Sequence, residues 1–327
     1  MKHIVYFHRN QSAGYSINKV IQTIIRDIDN KREFYAPCVG GSPVVLLKNI
    51  LFVLKNRSRH DINHITGDIL YCVVGLLGCK SVLTIHDTVI LDFKKNSWLK
   101  YQYLKWLWLK IPMKLATKVI CISEDTRQRL YKLTKRRDFI VIHNAIDPIF
   151  VTSPPISFPE KPNILLIGTS ENKNLIRTFV SLKDMKCHLT IIGKLCEEQK
   201  KCLAENGLDY TNKEGLSDEQ IVEEYINSDV VSFISLFEGF GMIIIEANKV
   251  GRPVICSDID VLHEVGGNAA LYVDPLNIKS MRAGFEDLFT DEQLRLTLIS
   301  NGYENVKRFN PNEIRKQWQA VYDDIDD

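Results

Sequence analysis

The stretch that decides the fold is residues 230–275, which read VVSFISLFEGFGMIIIEANKVGRPVICSDIDVLHEVGGNAALYVDP. A β-rich run ends at Ser235, and a glycine turn, Glu238-Gly239-Phe240-Gly241, leads into a periodic apolar segment. The segment Gly251-Arg252-Pro253 then carries the glycine and proline that commonly end a helix. The pattern therefore predicts strand, turn, helix and strand in succession, which is typical of a parallel α/β sheet.

The glycine turn is suited to an anion. Gly239 and Gly241 let a ligand approach the backbone closely, and N–H groups at a helix N-terminus favour a group such as a pyrophosphate. Two carboxylates, Glu238 and Glu246, flank the turn. A carboxylate beside a phosphate costs electrostatic energy, so these two are expected to bind neutral hydroxyls of a sugar and a ribose. The alternative is an ordinary strand, turn and helix with solvated acids, which this short motif alone leaves open.

The same alternation of strand and helix runs through the whole chain. In the first half the predicted strands are His3–Phe7, Ile62–Ile65, Ser81–Ile85, Lys118–Ile122 and Phe139–Ile142. In the second half they are Asn163–Ile167, His188–Ile192, Val230–Ile234, Pro253–Cys256 and Ala270–Val273. The fold class predicted is α/β, with two Rossmann-like, doubly wound domains facing a cleft, where ligands bind beyond the carboxyl ends of the strands.

The domain boundary is expected in a proline-rich segment between Asp147 and Pro162. Proline removes backbone donors and interrupts regular structure, so this segment is interpreted as a linker. The predicted organisation is an N-terminal domain over residues 1–150, a linker over 151–162, a C-terminal domain over 163–305 and a helix over 306–327. That last helix is free to cross back to either domain.

Composition and charge narrow the class of protein. The 327 residues suffice for two domains with their own cores. Residues 1–150 contain 24 Lys and Arg against 11 Asp and Glu, and the remaining residues contain 18 against 29. A basic half favours an anionic partner, such as a membrane surface, nucleic acid or a phosphorylated substrate. Eight cysteines without a metal-like spacing, and an N-terminus without a signal-peptide pattern, indicate a cytoplasmic protein.

The run from Glu238 to Pro275 closely resembles the retaining glycosyltransferases of the GT-B fold, in the large family of bacterial polysaccharide and lipopolysaccharide enzymes with the E-x7-E motif (glycosyl transferases group 1, family 4). Their signature is two glutamates with seven residues between them, followed by G-x-P-V-I, here Gly251 to Ile255. The resemblance extends over nearly the whole chain. Further matching segments are Leu83–Asp87, Lys118–Ser123, Ile140–Asp147 and Asn163–Leu175.

The resemblance implies roles for individual residues. Glu246 matches the glutamate that holds the donor ribose, and Glu238 matches the one that faces the donor sugar. The N–H groups from Phe240 to Met242 would hold the distal phosphate. Lys173 matches a phosphate-binding lysine, whose ammonium offsets the charge that grows on the departing diphosphate. The alternative for Lys173 is an ordinary surface lysine in a loop.

The segment Asn163–Leu175 resembles the family's first C-terminal strand and the phosphate loop that follows it. This loop departs from the family pattern at two positions. Thr169 follows Gly168 where many members have arginine, and Asn172 precedes the lysine where arginine is also frequent. Neutralisation of the phosphates is therefore expected to depend more on Lys173, with help from Arg177.

In the first half, the resemblance implies that the loop at Gly14 approaches the donor phosphates and the acceptor. His86, at the end of the strand LTIHD, matches a histidine near the reacting sugar, and Asp87 would orient it or cap the next segment. A strand-end histidine with a purely structural role is the alternative.

A basic and aromatic stretch, residues 94–118, reads KKNSWLKYQYLKWLWLKIPMKLATK. One interpretation is an amphipathic helix with its aromatic side chains in the core and its lysines in solvent. The other is a patch that lies on an anionic membrane surface, with Trp and Tyr at the interface. No nucleic-acid-binding motif accompanies the charge, so nucleic acid is not an expected partner.

The reaction implied is transfer of a hexose from a UDP- or GDP-sugar to a saccharide or lipid-linked acceptor, with retention, in surface polysaccharide biosynthesis. No cofactor is expected, and the D-x-D spelling at Asp258 to Asp260 is not interpreted as a metal site. The alternative is a catalytically silent partner that binds nucleotide-sugar for another transferase. A third possibility is another enzyme of the same fold, such as a sugar epimerase or a phosphorylase. The phosphorylase is disfavoured because a pyridoxal-binding lysine motif is not recognisable.

Overall fold

The computed structural model describes residues 3–13, 16–88, 98–153 and 157–325. The chain divides into two compact units. The first comprises residues 1–145 with 311–327, and the second comprises residues 146–310. Each unit contains one six-stranded sheet.

The sheet of the first unit is parallel throughout and has the strand order β2-β1-β3-β4-β5-β6. Its strands are β1 Ile4–His8, β2 Lys31–Tyr35, β3 Ile62–Ile65, β4 Ser81–Ile85, β5 Lys118–Cys121 and β6 Phe139–Val141. The inner strands are almost wholly buried, as expected when helices cover both faces of a parallel sheet. Strand β2 escaped prediction because its sequence, KREFY, is that of a half-exposed edge strand.

Helices cover both faces of this sheet. One face carries α2 and the continuous helical segment that starts at Trp98, and the other carries α1 and the C-terminal helix. The helices are α1 Ser16–Ile25, α2 Pro43–Asn56, α3 Trp98–Leu104, a π-helical stretch Lys105–Lys110, α4 Ile111–Leu115 and α5 Glu124–Tyr131. The start of α2 is fixed by Ser42, whose hydroxyl accepts from the Val45 N–H, with Pro43 at the first helical position.

The sheet of the second unit is also parallel, with the order β12-β11-β10-β7-β8-β9. Its strands are β7 Asn163–Ile167, β8 His188–Ile192, β9 Asp209–Lys213, β10 Val230–Phe233, β11 Val254–Ser257 and β12 Leu271–Val273. Strand β9, DYTNK, was also missed, because it is an exposed polar edge strand. The two parallel, doubly wound sheets confirm the predicted fold class.

The helices of the second unit alternate with its strands. They are α6 Leu175–Ser181, α7 Glu197–Glu205, α8 Asp218–Ile226, α9 Met242–Val250, α10 Asp260–Gly266, α11 Ile278–Thr290 and α12 Glu292–Asn305. Two short 3-10 turns, Glu171–Lys173 and Val306–Phe309, complete the unit.

The C-terminal helix, α13 Pro311–Asp323, belongs to the first unit. Trp318 and Tyr322 are buried against the sheet, and the Tyr322 hydroxyl lies 2.7 Å from Nδ1 of His64 on β3. The tail of the sequence therefore returns to the N-terminal sheet rather than staying with the strands that precede it.

All eight cysteines are free thiols. Over the described residues, none of the helices combines the length and the apolar character that crossing a bilayer requires.

Candidate active site

The strand order of the second sheet reverses between β7 and β10, which lie side by side although β8 and β9 come between them in sequence. Ligands of open α/β sheets bind at such a switch point, beyond the carboxyl ends of the strands. Two loops leave the sheet there, residues 168–174 after β7 and residues 234–241 after β10. The Leu236 N–H donates to the Asn172 carbonyl at 2.7 Å, so the two loops are in direct contact.

Lys173 and Glu238 form an ion pair across these loops. The Lys173 ammonium lies 2.6 Å from Oε1 of Glu238, and only 18% and 15% of the two side chains is exposed. The ammonium also stands 4.7 Å from the centre of the Phe233 ring. Lys173 is therefore a fixed, mostly buried cation at the switch point, and not a solvated loop lysine.

Gly168 makes room for this lysine. It has φ +90°, and a Cβ at this position would lie 3.1 Å from Cε of Lys173. The left-handed conformation and the close approach both favour glycine. Glycine is therefore favoured at position 168, directly after β7, because the Lys173 side chain passes close to it.

Asn172 occupies the position where the sequence suggested a missing positive charge. Its side-chain amide donates to the Phe237 carbonyl and to Oε1 of Glu238, both at 3.3 Å. The backbone carbonyl of Asn172 also accepts from the Leu236 N–H in the loop after β10. The residue therefore ties the two loops together and adds a neutral donor to the carboxylate that Lys173 binds.

Thr169 anchors the same loop on its other side. Its hydroxyl donates to the Lys194 carbonyl at 2.7 Å, and its own carbonyl accepts from the Gln199 amide at 2.8 Å. Arg177, on the first turns of α6, is exposed and donates to Oδ1 of Asn174 at 3.0 Å. Of these two cations, Lys173 is the more buried one.

The glycine turn leads directly into α9. Gly241 has φ +115° and is the N-cap residue of the helix, and a Cβ there would lie 2.8 Å from Cδ2 of Leu262. Phe240 is buried and its ring meets that of Phe309 edge-on at 5.9 Å. Phe240 is thus a core side chain, so a contact with a ligand can come only from its backbone. Gly239 precedes Phe240 in the turn, and Met242 is the first residue of α9.

Glu246 lies in the second turn of α9, and a residue of another helix orients it. The hydroxyl of Tyr225 on α8 donates to Oε2 of Glu246 at 2.6 Å. Tyr225 is fully buried, and burial with the nearby Glu246 charge raises its pKa well above the usual range. The hydroxyl therefore stays protonated and always donates. Sequence reasoning missed this residue, because nothing in the spacing links position 225 to position 246.

His86 follows β4 in the first unit and is 9% exposed. Its Nε2 lies 2.8 Å from the Thr66 carbonyl, which can only accept, so Nε2 carries the proton. Burial lowers the pKa of the imidazole to about 4. His86 is therefore neutral near pH 7, with Nδ1 as its lone-pair nitrogen.

In the same unit, His8 ends strand β1 and Arg9 follows it directly. His8 bonds to the Thr66 hydroxyl through Nδ1 at 2.8 Å, and Arg9 is buried with its guanidinium 3.8 Å from Asp68. Only their position at a strand end could have suggested them. The predicted Gly14 lies outside the described residues.

The structure thus brings the predicted donor residues of the second unit to one place. Gly168, Thr169 and Lys173 follow β7, and the stretch from Glu238 to Glu246 follows its neighbour β10. A mostly buried ammonium paired with Glu238 lies there with the helix N-terminus, and the Tyr225-bound Glu246 follows in the second turn of the same helix. That set can hold a group with both phosphates and hydroxyls.

Two family models match the chain. The model described as "Glycosyl transferases group 1" matches residues 157–305, and the model described as "Glycosyltransferase Family 4" matches residues 25–150.

Among characterised and uncharacterised relatives, the chain is 26% identical to an uncharacterized glycosyltransferase of Methanocaldococcus jannaschii, over 99% of this chain and 91% of the relative. It is 24% identical to the N,N'-diacetylbacillosaminyl-diphospho-undecaprenol alpha-1,3-N-acetylgalactosaminyltransferase of Campylobacter jejuni, over 66% of this chain and 62% of the relative.

Among solved structures, the HepE protein of Anabaena in complex with UDP and glucose superposes with a TM-score of 0.82. The alignment covers 99% of this chain and 100% of that chain, at 16% sequence identity. At this identity the likeness concerns the fold.

Proposed function

The chain belongs to the group 1 glycosyltransferases of the GT-B fold, and on that premise we propose that it transfers a hexose from a UDP- or GDP-sugar to a saccharide or lipid-linked acceptor, with retention. The observation that carries the proposal is the arrangement at the start of α9. There the Lys173–Glu238 pair, the helix N-terminus and the Tyr225-bound Glu246 surround the switch point of the second sheet.

Each part has a defined task in the proposed reaction. The ammonium of Lys173 and the first N–H groups of α9 stabilise the diphosphate as it leaves, because both place positive charge where negative charge develops. Glu246 accepts hydrogen bonds from the ribose hydroxyls, and Tyr225 keeps its carboxylate in place. Glu238 faces the sugar, and its bond to Lys173 couples sugar binding to phosphate binding.

His86 would act near the reacting sugar as a neutral group. A neutral imidazole with its proton on Nε2 can accept a hydrogen bond from a sugar hydroxyl through Nδ1. The loop at Gly14 would approach the donor phosphates. The reaction is proposed to need no metal ion, because the leaving charge is met by Lys173 and the helix.

The acceptor and the setting are the finer parts of the proposal. The Campylobacter jejuni relative is named for an acceptor linked to diphospho-undecaprenol, which supports a lipid-linked acceptor here. We place the reaction in surface polysaccharide biosynthesis on the cytoplasmic side of the cell membrane.

Donor binding tests the proposal directly. Isothermal titration of the purified protein with UDP, GDP and several of their sugars should give binding to one base. Glu246→Ala should then lower the affinity by about tenfold or more, because it removes charge-assisted bonds to the ribose. Glu292→Ala, an exposed acid on α12, serves as the control and should leave the affinity unchanged. Equal affinity in Glu246→Ala and the wild type would refute the ribose role.

The alternative function is that of a catalytically silent protein that binds nucleotide-sugar for another transferase. The absence of the family's usual phosphate-loop arginines, replaced here by Thr169 and Asn172, favours this alternative. Slow donor hydrolysis or transfer to any of a set of acceptors would support the enzyme. Tight donor binding without turnover under all of these conditions would support the silent partner instead.

A further inference from the structure

Helix α2 carries an exposed apolar stripe. The side chains of Val44, Leu47, Leu51 and Leu54 are 62%, 56%, 51% and 43% exposed. At 3.6 residues per turn, these four positions fall within an arc of roughly 80° on the helix surface. The buried residues of α2, Leu46, Asn49 and Val53, lie on the opposite side. A stripe of this kind is not needed for the core, which α2 already contacts with its other face.

A second group of exposed apolar side chains lies on the neighbouring helical segment. It consists of Trp98, Leu99, Tyr103 and Trp106. The Tyr103 hydroxyl lies 3.4 Å from the Gly41 carbonyl, directly before the N-cap of α2, so the two groups are adjacent. Both helices pack on the same face of the first sheet, so their outer sides form one layer.

This layer concentrates the exposed apolar surface of the described residues. Of the 15 exposed large hydrophobic side chains identified there, ten belong to this layer and the loops beside it, whereas α1 and α13 on the opposite face contribute none. The ten are Val39, Val44, Leu47, Leu51, Leu54, Leu77, Trp98, Leu99, Tyr103 and Trp106. Scattered exposed apolar residues are ordinary, but a contiguous group of this size marks an interaction surface.

The two segments that carry these exposed groups contain basic residues and no acidic ones. Residues 34–60 and 98–123 contain no Asp or Glu. Lys48 and Lys55 are exposed, and both lie within roughly 40° of one edge of the stripe on the helical wheel. Lys110 holds its ammonium 4.5 Å from the centre of the Trp106 ring. Apolar side chains bordered by lysines, with tryptophan beside them, are typical of proteins that lie on an anionic bilayer.

We propose that the outer side of α2, together with Trp98 and Trp106, docks this protein onto an anionic lipid bilayer. The aliphatic stripe enters the boundary between headgroups and acyl chains, and the lysines contact the headgroup phosphates. This deepens the proposed function by placing the enzyme where a lipid-linked acceptor lies, and it rests on that function only for the identity of the acceptor.

A second copy of the chain could cover the same surface instead of a bilayer, but the positive charge of the α2 lysines disfavours such a dimer. In a symmetric dimer the same patch would face itself, so the lysines of one α2 would oppose those of the other. A bilayer rich in anionic lipid meets the same lysines with opposite charge.

Vesicle sedimentation tests the proposal with the full chain. The vesicles contain equal parts of phosphatidylcholine and phosphatidylglycerol, and no nucleotide is present, so failure here leaves the donor titration unaffected. Leu47→Ser with Leu51→Ser should lower partitioning by about tenfold or more, because two leucines no longer enter the apolar boundary. Lys48→Glu with Lys55→Glu should also lower it, and high salt should weaken wild-type binding.

The matched control makes the same change elsewhere. Leu276 and Leu296 are also exposed but lie in the second unit, so Leu276→Ser with Leu296→Ser should partition as the wild type does. Circular dichroism and nucleotide titration establish that each variant is folded.

Three results would overturn the proposal. One is wild-type protein that does not sediment with these vesicles, and another is binding within about twofold of the wild type in the Leu47/Leu51 variant. The third is a wild-type protein that does not bind vesicles but forms a concentration-dependent dimer in sedimentation velocity, with the dimer abolished in the Leu47/Leu51 variant. That result would assign the surface to a second copy of the chain.

Discussion

Replacement of Lys173 by methionine tests whether the ion pair at the switch point serves ligand binding as well as stability. Methionine keeps much of the apolar stem beside Gly168 but removes the ammonium that lies 2.6 Å from Glu238. Breaking a fully buried pair costs about 3–5 kcal/mol, and an exposed pair is worth at most about 1 kcal/mol. Since 18% and 15% of these two side chains is exposed, we expect the free energy of unfolding to fall by about 1–3 kcal/mol.

The effect on nucleotide binding has a separate origin. A charge-assisted hydrogen bond to a phosphate contributes about 1.5–3 kcal/mol, so the affinity for UDP or GDP should fall about 10- to 100-fold. Urea denaturation measures the first effect and isothermal titration measures the second. Adding Glu238→Gln to Lys173→Met should restore part of the stability, because the unpaired carboxylate is gone, without restoring nucleotide affinity.

Lys161→Met is the matched control for this experiment. Lys161 pairs with Asp209 at 2.5 Å in the same unit, but the pair is about half exposed. Because solvent screens an exposed pair, its loss should leave the urea denaturation curve close to that of the wild type and leave nucleotide affinity unchanged. If folded Lys173→Met binds the nucleotide within about twofold of the wild type, the phosphate role of Lys173 is refuted.

Three further changes probe the turn, the positioning tyrosine and the histidine. Gly241→Ala should lower the free energy of unfolding by about 2–4 kcal/mol in urea, because φ is +115° and a Cβ would lie 2.8 Å from the nearest leucine side chain. Gly207→Ala, where φ is +62° and nothing lies within 4 Å, should cost only about 1 kcal/mol, and equal losses would contradict the steric argument. Tyr225→Phe should weaken nucleotide binding about 3- to 10-fold by freeing Glu246. The loss should shrink with a nucleotide that lacks the ribose hydroxyls, and an identical loss with that nucleotide would contradict the positioning role. His86 has its pKa lowered to about 4 from 6.5, so the unfolded state binds more protons between these values and stability falls as the pH is lowered from 6.5 to 4. His86→Asn should remove about 3 kcal/mol of that fall in a series of denaturation curves, whereas an unchanged pH dependence would show that the imidazole is not held neutral.

Much of the fold followed from local patterns. Buried parallel strands are short apolar runs between helices, so β3, β4 and β7 were predicted with the bounds that the structure has. Edge strands lack that signal. In β9 most side chains are exposed and in β2 most are only partly buried, so DYTNK and KREFY lack a continuous apolar run and become strands through pairing with their neighbours.

The candidate site divides in the same way. The glycines and glutamates around α9 are close in sequence, so their spacing alone places them on one turn and one helix face. The bonds that orient them join distant residues. Asn172 reaches Glu238, and Tyr225 reaches Glu246, only because β7 pairs with β10 and α8 packs beside α9.

The sequence by itself therefore determined the alternation of strands and helices, the glycine turn and the two glutamates, because each depends on residues within one element. The tertiary structure alone decided which loops meet, that Asn172 clamps the loop in place of a charge, and that Lys173 is held by Glu238. It also decided that α13 joins the first sheet and that one face of α2 stays uncovered. These outcomes depend on contacts between elements far apart in the chain, which no local pattern encodes.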